Sequence, residues 1–258
     1  MTILEALILG LIQGLTEFLP ISSSGHLTLA EAILGINNSN NYFNILLHLA
    51  TLLSVLIVLY KDVLVLIKRP FSKTTLKVVL ATLITCVGAA LLKIFIPKLF
   101  EVGFLGFGFL LSGMLMLVCF LPSKNTKTPA PSNEVSFKSA IIMGISGCFA
   151  VLPGVSRSGT SICAGVLANE SKENSVKFSF LISIPIIIAS MVFEIFYSGS
   201  GVYSIGFLPC LVGAFSAFLS SLVSIKFMLK IAKKGNWIYF AIYLLLLSFG
   251  VLIYTFAF

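Results

Sequence analysis

The sequence predicts an all-α membrane protein: six transmembrane helices plus two re-entrant helix pairs, arranged as an inverted-topology repeat. Composition is the first reason. Of the 258 residues, 58% are apolar and only 10% are charged, with a mean hydropathy of +1.10. A soluble domain carries about 25% charged residues, and a chain this apolar would expose more hydrocarbon than water tolerates. A soluble enzyme, a secreted disulfide scaffold and a disordered regulator are excluded. The second reason is six apolar stretches, each near the roughly 20 residues a spanning helix needs. The third is a pair of apolar regions that are broken in the middle.

The elements follow in order. The first broken region runs from Ile3 to Gly35 and is interrupted by Leu19-Pro20-Ile21-Ser22-Ser23-Ser24-Gly25. Spans are expected at about 43–60, 76–96 and 101–121. The second broken region runs from about Lys138 to Leu167 and is interrupted by Leu152-Pro153-Gly154-Val155-Ser156-Arg157-Ser158-Gly159. Spans follow at about 176–197, 205–229 and 237–257, with a kink expected at Pro185. Each half of a broken region is too short to cross. Irregular backbone at membrane depth persists only where protein or a water-filled cavity surrounds it.

Charge orients these elements. The net charge is +8, and Lys and Arg accumulate in cytoplasmic loops. The loop 61–77 holds Lys61, Lys68, Arg69, Lys73 and Lys77 against Asp62 alone, and is placed inside. Lys124, Lys127, Lys138, Lys172, Lys177, Lys226, Lys230, Lys233 and Lys234 join it, while Lys93, Lys98 and the uncharged tract 198–204 lie outside. This distribution holds only if each broken region re-enters on its own side. No cleavable leader is expected, because Glu5 follows almost at once after Met1 and no basic segment precedes the apolar run. Cys86, Cys119, Cys148, Cys163 and Cys210 lie in apolar stretches without metal-site spacing and read as packing residues.

The two halves match. Leu19-Pro20 aligns with Leu152-Pro153, Ser22-Ser23-Ser24-Gly25 with Ser156-Arg157-Ser158-Gly159, and Phe43 with Phe178, at offsets of 133 to 135. Each half is a broken pair followed by three crossings, and an odd number of crossings inverts the second copy. Inverted repeats with broken helices meeting at the midplane are a transporter layout. The chain reads as a single membrane domain, with repeat one at about 1–121, a cytoplasmic linker at about 122–137 and repeat two at about 138–258.

Ionisable groups inside a membrane are costly and therefore functional by default. The broken regions hold Gln13, Glu17, His26 and Arg157. Gln13 and Glu17 share a helix face, and Gly10 and Gly14 repeat that spacing on a neighbouring face, where small residues admit a close helix. Glu17 reads as a general acid or base, or as a ligand for a hard cation bound to phosphate. Arg157 lies among Ser156, Ser158, Gly159, Thr160 and Ser161. Its planar fork matches phosphate oxygens, and the half-helix that follows offers free N–H groups. Ser22, Ser23 and Ser24 precede Gly25-His26; one serine is expected as an N-cap, leaving others free beside an imidazole that titrates near neutral pH. His48 is less specific, either functional or hydrogen-bonded to a neighbouring helix. No Walker A sequence is present, so a phosphate-bearing substrate of the lipid phase fits best.

The segment Gln13 to His26 resembles the (E/Q)-x-x-x-E motif and Ser/His continuation of the undecaprenyl-diphosphate phosphatases, also called bacitracin-resistance proteins. Pro153-Gly154-Val155-Ser156-Arg157-Ser158-Gly159 resembles the P-G-x-S-R-S-x-x-T motif of the same family. The resemblance covers essentially the whole chain. It implies removal of the terminal phosphate from undecaprenyl diphosphate, a bacterial inner (cytoplasmic) membrane location, a divalent cation (magnesium or calcium) and a homodimer. It also implies the essential carboxylate at Glu17, the first motif position at Gln13, the Ser/His site at Ser22, Ser23 and His26, and a phosphate clamp at Ser156 and Arg157. Two departures stand out. Gln13 is Glu in some members, which weakens a two-carboxylate mechanism here, and the closing Thr falls at Ser161, with Thr160 just before it.

The expected catalytic residues are thus Glu17, Ser23, His26 and Arg157. Gln13, Ser22, Ser24, Ser156, Ser158, Thr160 and Ser161 are expected to bind substrate, and Glu17 to bind the metal. Ser23 is the favoured nucleophile, assisted by His26, with His26 itself or an activated water as alternatives. The competing class is a transporter or flippase of lipid phosphate or another anion.

Overall fold

The computed structural model describes residues 1–36, 41–100, 102–120, 134–197, 205–234 and 237–257. Among them are eleven α-helices and no strand. The linker at 122–137 lies largely outside the described residues, as do the tract 198–204, Lys124 and Lys127.

Each broken region forms a helical hairpin. In the first, α1 (Ile3–Thr16) leads through a turn to α2 (Ser23–Leu34). In the second, α7 (Phe137–Cys148) leads through one 3-10 turn to α8 (Arg157–Leu167). Their starts follow capping rules. Thr2 and Glu5 form a reciprocal capping box on α1, and the Ser136 side chain accepts from the Ser139 N–H on α7.

The longer helices are α3 (Asn41–Val58), α5 (Lys73–Phe95), α6 (Leu105–Phe120), α9 (Lys172–Tyr197), α10 (Phe207–Lys234) and α11 (Ile238–Ala257). Within these, Lys73–Phe95, Lys172–Phe196, Phe207–Lys233 and Ile238–Phe256 are long and apolar enough to cross a membrane. A fifth span is counted if α3 and α4 (Tyr60–Lys68), bent by 88° at Leu59, are taken together. The sixth expected span, 101–121, is shorter than anticipated. It opens on 3-10 turns, and α6 has 16 residues, about 24 Å at 1.5 Å per residue against a hydrocarbon core of about 30 Å. The expected loop 61–77 contains helix α4 up to Lys68 and the start of α5 from Lys73, with Asp62 in the first turn of α4 and Lys68 in its last, favourable to the helix dipole. Pro185 lies inside a continuous α9.

The outer surface is hydrocarbon. On α5, Leu76, Leu83, Val87, Leu91 and Ile94 form an exposed stripe, and on α11 Tyr239, Ile242, Leu246, Phe249 and Ile253 do the same. Such a surface belongs against lipid, so the chain is a multi-pass membrane protein.

Inside, helices meet through small residues. α1 packs most extensively on α10, α6 on α11, and α5 on α7. A Cβ at Gly10 would run into Ser216 Oγ and the Gly213 carbonyl, and one at Gly14 into Ser220 Oγ and the Ala217 carbonyl. Gly10 and Gly14 thus do what their spacing suggested. The α5–α7 contact is built alike: Gly144 and Gly147 lie against Ala81 and Thr85, and Thr85 Oγ1 donates to the Gly144 carbonyl at 2.9 Å. Below the hairpin tips, Phe18 and Phe180 meet edge to face at 5.2 Å. On the basic side, Lys77 pairs with Glu134 at 3.1 Å and Lys177 with Asp62 at 2.8 Å.

Candidate active site

α1 ends where its chemistry begins. Glu17 is its C-cap residue and is buried. One turn earlier Gln13, fully buried, donates from Nε2 to Glu17 Oε2 at 3.1 Å. After the Leu19-Pro20 turn the backbone enters Ser22 at φ 72°. That left-handed conformation is costly for a residue with a Cβ. It sets Ser22 as the N-cap of α2, accepting from the Gly25 N–H at 3.3 Å, and turns the next residue back on the helix just left. Ser23 Oγ donates to Glu17 Oε2 at 2.6 Å.

The second hairpin delivers the counter-charge. Gly154, at φ 80°, lets the Pro153-Gly154 turn lie against Gly108 of α6, where any side chain would collide. Ser112 of α6 pins this turn: its hydroxyl accepts from the Ser156 N–H at 2.8 Å and donates to the Gly154 carbonyl at 3.3 Å. Ser156 then caps α8, accepting from the Gly159 N–H at 3.0 Å. The first residue of α8 is Arg157, whose Nη2 makes an ion pair with Glu17 Oε1 while Nη1 donates to the Ser183 carbonyl at 3.3 Å. Ser158 Oγ donates across to the Leu19 carbonyl at 2.8 Å, tying the two hairpins together.

A cavity of about 250 Å³ opens over this junction. Glu17, Ser22, Ser23, Ser24, Ser156, Arg157 and Ser158 line it, with His48, Thr85, Ser190 and Glu194 on its other walls. Both α2 and α8 begin at it, and the first N–H groups of a helix have no partner one turn back. Two helix N-termini, a guanidinium and several hydroxyls make the floor an anion site.

Other expected site residues stand elsewhere. Gln13 lies behind Glu17, and its Oε1 is buried with no hydrogen-bond partner. Thr160 and Ser161 are absent from the cavity wall. Their hydroxyls donate back to the Arg157 carbonyl at 3.1 and 2.9 Å, the local bond a helical Ser or Thr can always make, and Ser161 also meets Ser179 at 2.6 Å. His26 faces away from the cavity. Its Nδ1–H donates to the Ser22 carbonyl at 2.7 Å, and Nε2 accepts from the Tyr243 hydroxyl at 2.6 Å. The ring stacks on Tyr243 and meets Phe109 edge-on, so its helical phase points it at α11 and α6 rather than at Ser23. His48 bonds to its own helix, not a neighbouring one: Nδ1 lies 2.8 Å from the Asn44 carbonyl. Residues the sequence left unmarked are Ser112, Ser183, Tyr243 and Glu194. Glu194 alone carried a signal, as a carboxylate inside an apolar stretch.

Among the described residues no three His, Cys, Asp or Glu side chains cluster to hold a metal. The oxygen donors near Glu17 are its own carboxylate, the unpartnered Gln13 Oε1 and Ser23 Oγ. Such a set suits a hard cation that takes its remaining ligands from phosphate and water.

Fold and cavity together define a class: a multi-pass membrane protein whose helical hairpins bring a carboxylate, a hydroxyl and a guanidinium to one anion-binding floor. Residues 6–250 match the family model described as bacitracin resistance protein BacA. The undecaprenyl-diphosphatase of Carboxydothermus hydrogenoformans is 36% identical over 253 residues, 96% of each chain. That of Bacteroides thetaiotaomicron is 36% identical over 98% of this chain and 99% of its own, and that of Christiangramia forsetii 35% over 100% of both. The chain belongs to the bacitracin resistance protein BacA family.

Proposed function

We propose that the protein is a membrane phosphatase that hydrolyses undecaprenyl diphosphate to undecaprenyl phosphate and inorganic phosphate, recycling the lipid carrier of cell-wall synthesis and conferring bacitracin resistance. The full-length match to relatives named for that activity supports the substrate. The observation that carries the chemistry is the contact of Ser23 Oγ with Glu17 at 2.6 Å, beside Arg157.

In the resting site Glu17 and Arg157 neutralise each other. The entering diphosphate draws Arg157 and the N-termini of α2 and α8 onto its oxygens, which frees Glu17. Ser23 Oγ then attacks the terminal phosphorus as Glu17 takes its proton. The bond from phosphorus to the bridging oxygen breaks, and undecaprenyl phosphate leaves with the proton that Glu17 took from Ser23. Glu17, again a carboxylate, deprotonates a water that attacks the phosphoserine, and returns that proton to Ser23 Oγ as inorganic phosphate departs. Positioning and fixed charge supply most of the acceleration in such transfers. Glu17 would hold the divalent cation, magnesium or calcium, which when bound offsets phosphate charge. His26, bonded to Ser22 and Tyr243, orients the start of α2.

The finer architecture belongs to the same proposal: one domain of six crossings and two re-entrant pairs, repeated upside down, in the bacterial inner membrane. Reciprocal packing supports the repeat. α1 lies on α10 as α7 lies on α5, each through paired glycines. Tyr243 of α11 steadies the start of α2 as Ser112 of α6 steadies the start of α8. The homodimer rests on the family resemblance alone.

The test is phosphate release from the lipid diphosphate by purified protein in detergent, where transport is impossible. Ser23→Ala and Glu17→Gln are expected to reduce release by at least about a hundredfold, and Arg157→Lys to lose most of it because the bidentate fork is gone. Undiminished release by Ser23→Ala would transfer the attack to water. No release by the wild type, with lipid-phosphate movement in vesicles, would mark a carrier instead.

A further inference from the structure

The reaction described above uses the floor of the cavity and leaves its outer walls without a role. The titratable and charged groups in the lining are Glu17 of α1, His48 of α3, Arg157 of α8 and Glu194 of α9. Lys93 of α5 stands close enough to act electrostatically on Glu194 and lies 4.6 Å over the Phe193 ring. The elements α2 and α7 bring no charge to the wall, and α10 brings no side chain to it.

His48 is half-buried, and its hydrogen bonding fixes its tautomer. A carbonyl only accepts, so the Asn44 carbonyl at 2.8 Å requires the proton on Nδ1. Nε2 has no hydrogen-bond partner among the described residues. The ring is therefore held from behind with its second nitrogen uncommitted, on the wall of an anion-binding cavity. It sits within electrostatic reach of both Glu17 and Glu194. With a neutral imidazole the lining carries one positive and two negative charges, a poor match for a polyanion. With the imidazolium the lining is neutral, and Nε2–H becomes a donor aimed at phosphate.

We infer that His48 is a substrate-contacting residue: its protonated Nε2 donates to the terminal phosphate from the α3 wall, and Glu194 competes with phosphate for that charge. The inference rests on the phosphatase reading and deepens it. Substrate and inorganic phosphate, the product, both bind more tightly when His48 is protonated.

The experiment measures two quantities on the full-length protein in detergent. These are the KM for lipid diphosphate and the dissociation constant of inorganic phosphate, read by calorimetry without turnover. His48→Leu raises both about tenfold, the worth of one charge-assisted hydrogen bond, with a smaller change in kcat. His48→Gln, which keeps a neutral donor, recovers part of the binding. Glu194→Gln tightens inorganic phosphate. Wild-type KM and phosphate affinity in His48→Leu would overturn the inference while leaving the phosphatase intact. Absent turnover, with phosphate binding that still depends on His48, would overturn the phosphatase reading and keep the contact.

Discussion

Ser112 shows how little of an active site is visible in one residue's chemistry. It is an unremarkable serine in an apolar helix, yet it holds both the Gly154 carbonyl and the Ser156 N–H, and so fixes where α8 and Arg157 begin. Ser112→Ala leaves both groups buried and unpaired, at about 1–3 kcal/mol. The expected outcome is a lower thermal midpoint in detergent together with reduced phosphate release at saturating substrate. Wild-type values of both would deny Ser112 this role. The pair it serves is more costly to break. Removing one partner of a buried ion pair costs about 3–5 kcal/mol, so Glu17→Ala is expected to unfold well before Glu17→Gln, which keeps the hydrogen bond to Ser23. Calorimetric or fluorescence-detected melting separates the two. Glu17, Ser23 and Arg157 were legible in the sequence because charge and hydroxyls at membrane depth have few structural explanations. The turning away of His26 was not, because helical phase against α6 and α11 decides it.

Hairpin and helix contacts depend on the absence of side chains. Gly14 of α1 leaves no room for a Cβ against Ser220 and the Ala217 carbonyl, whereas a Cβ at Gly250 of α11 would meet nothing within 4 Å. Gly14→Val is expected to destabilise the protein by about 1–3 kcal/mol through overpacking. Gly250→Ala should be neutral or slightly stabilising, because alanine is the better helix former. Equal melting of the two variants would refute the close α1–α10 approach. At the basic end of α5, the hydrogen bond from Lys77 holds the exposed Glu134 carboxyl below the usual carboxylate range. A lowered folded-state pKa means the pair is complete above the ordinary carboxylate pKa and is lost as pH falls through the lowered one. Glu134→Gln should shift stability at neutral pH by less than about 1 kcal/mol, because the carboxylate side of the pair is exposed and screened by water. The sequence announced these elements through apolar runs and glycine spacing. It misjudged the ends, because α4, the first turn of α5 and the last turns of α10 are helical beyond the apolar segment.

Across the whole molecule, the cavity lies toward the side that carries few lysines. Glu194 stands near the end of α9 opposite Lys172 and Lys177, and His48 lies in the first half of α3, away from α4 and its lysines. The positive-inside rule predicts a site that opens to the outer face. In a cysteine-free background, Ser190→Cys is expected to react with a membrane-impermeant thiol reagent added to intact spheroplasts. Lys177→Cys should react only after the membrane is opened. The reverse pattern would invert the orientation.

The sequence by itself determined the solvent, the number of broken regions and the residue types that gather charge at membrane depth. It could do so because transfer energies belong to side chains and are nearly local. Which imidazole faces the cavity, which serine holds the turn and which second carboxylate lines the wall were decided by tertiary structure. Those facts depend on the rotation of one helix against another, and packing sets that rotation only once all the partners are in place.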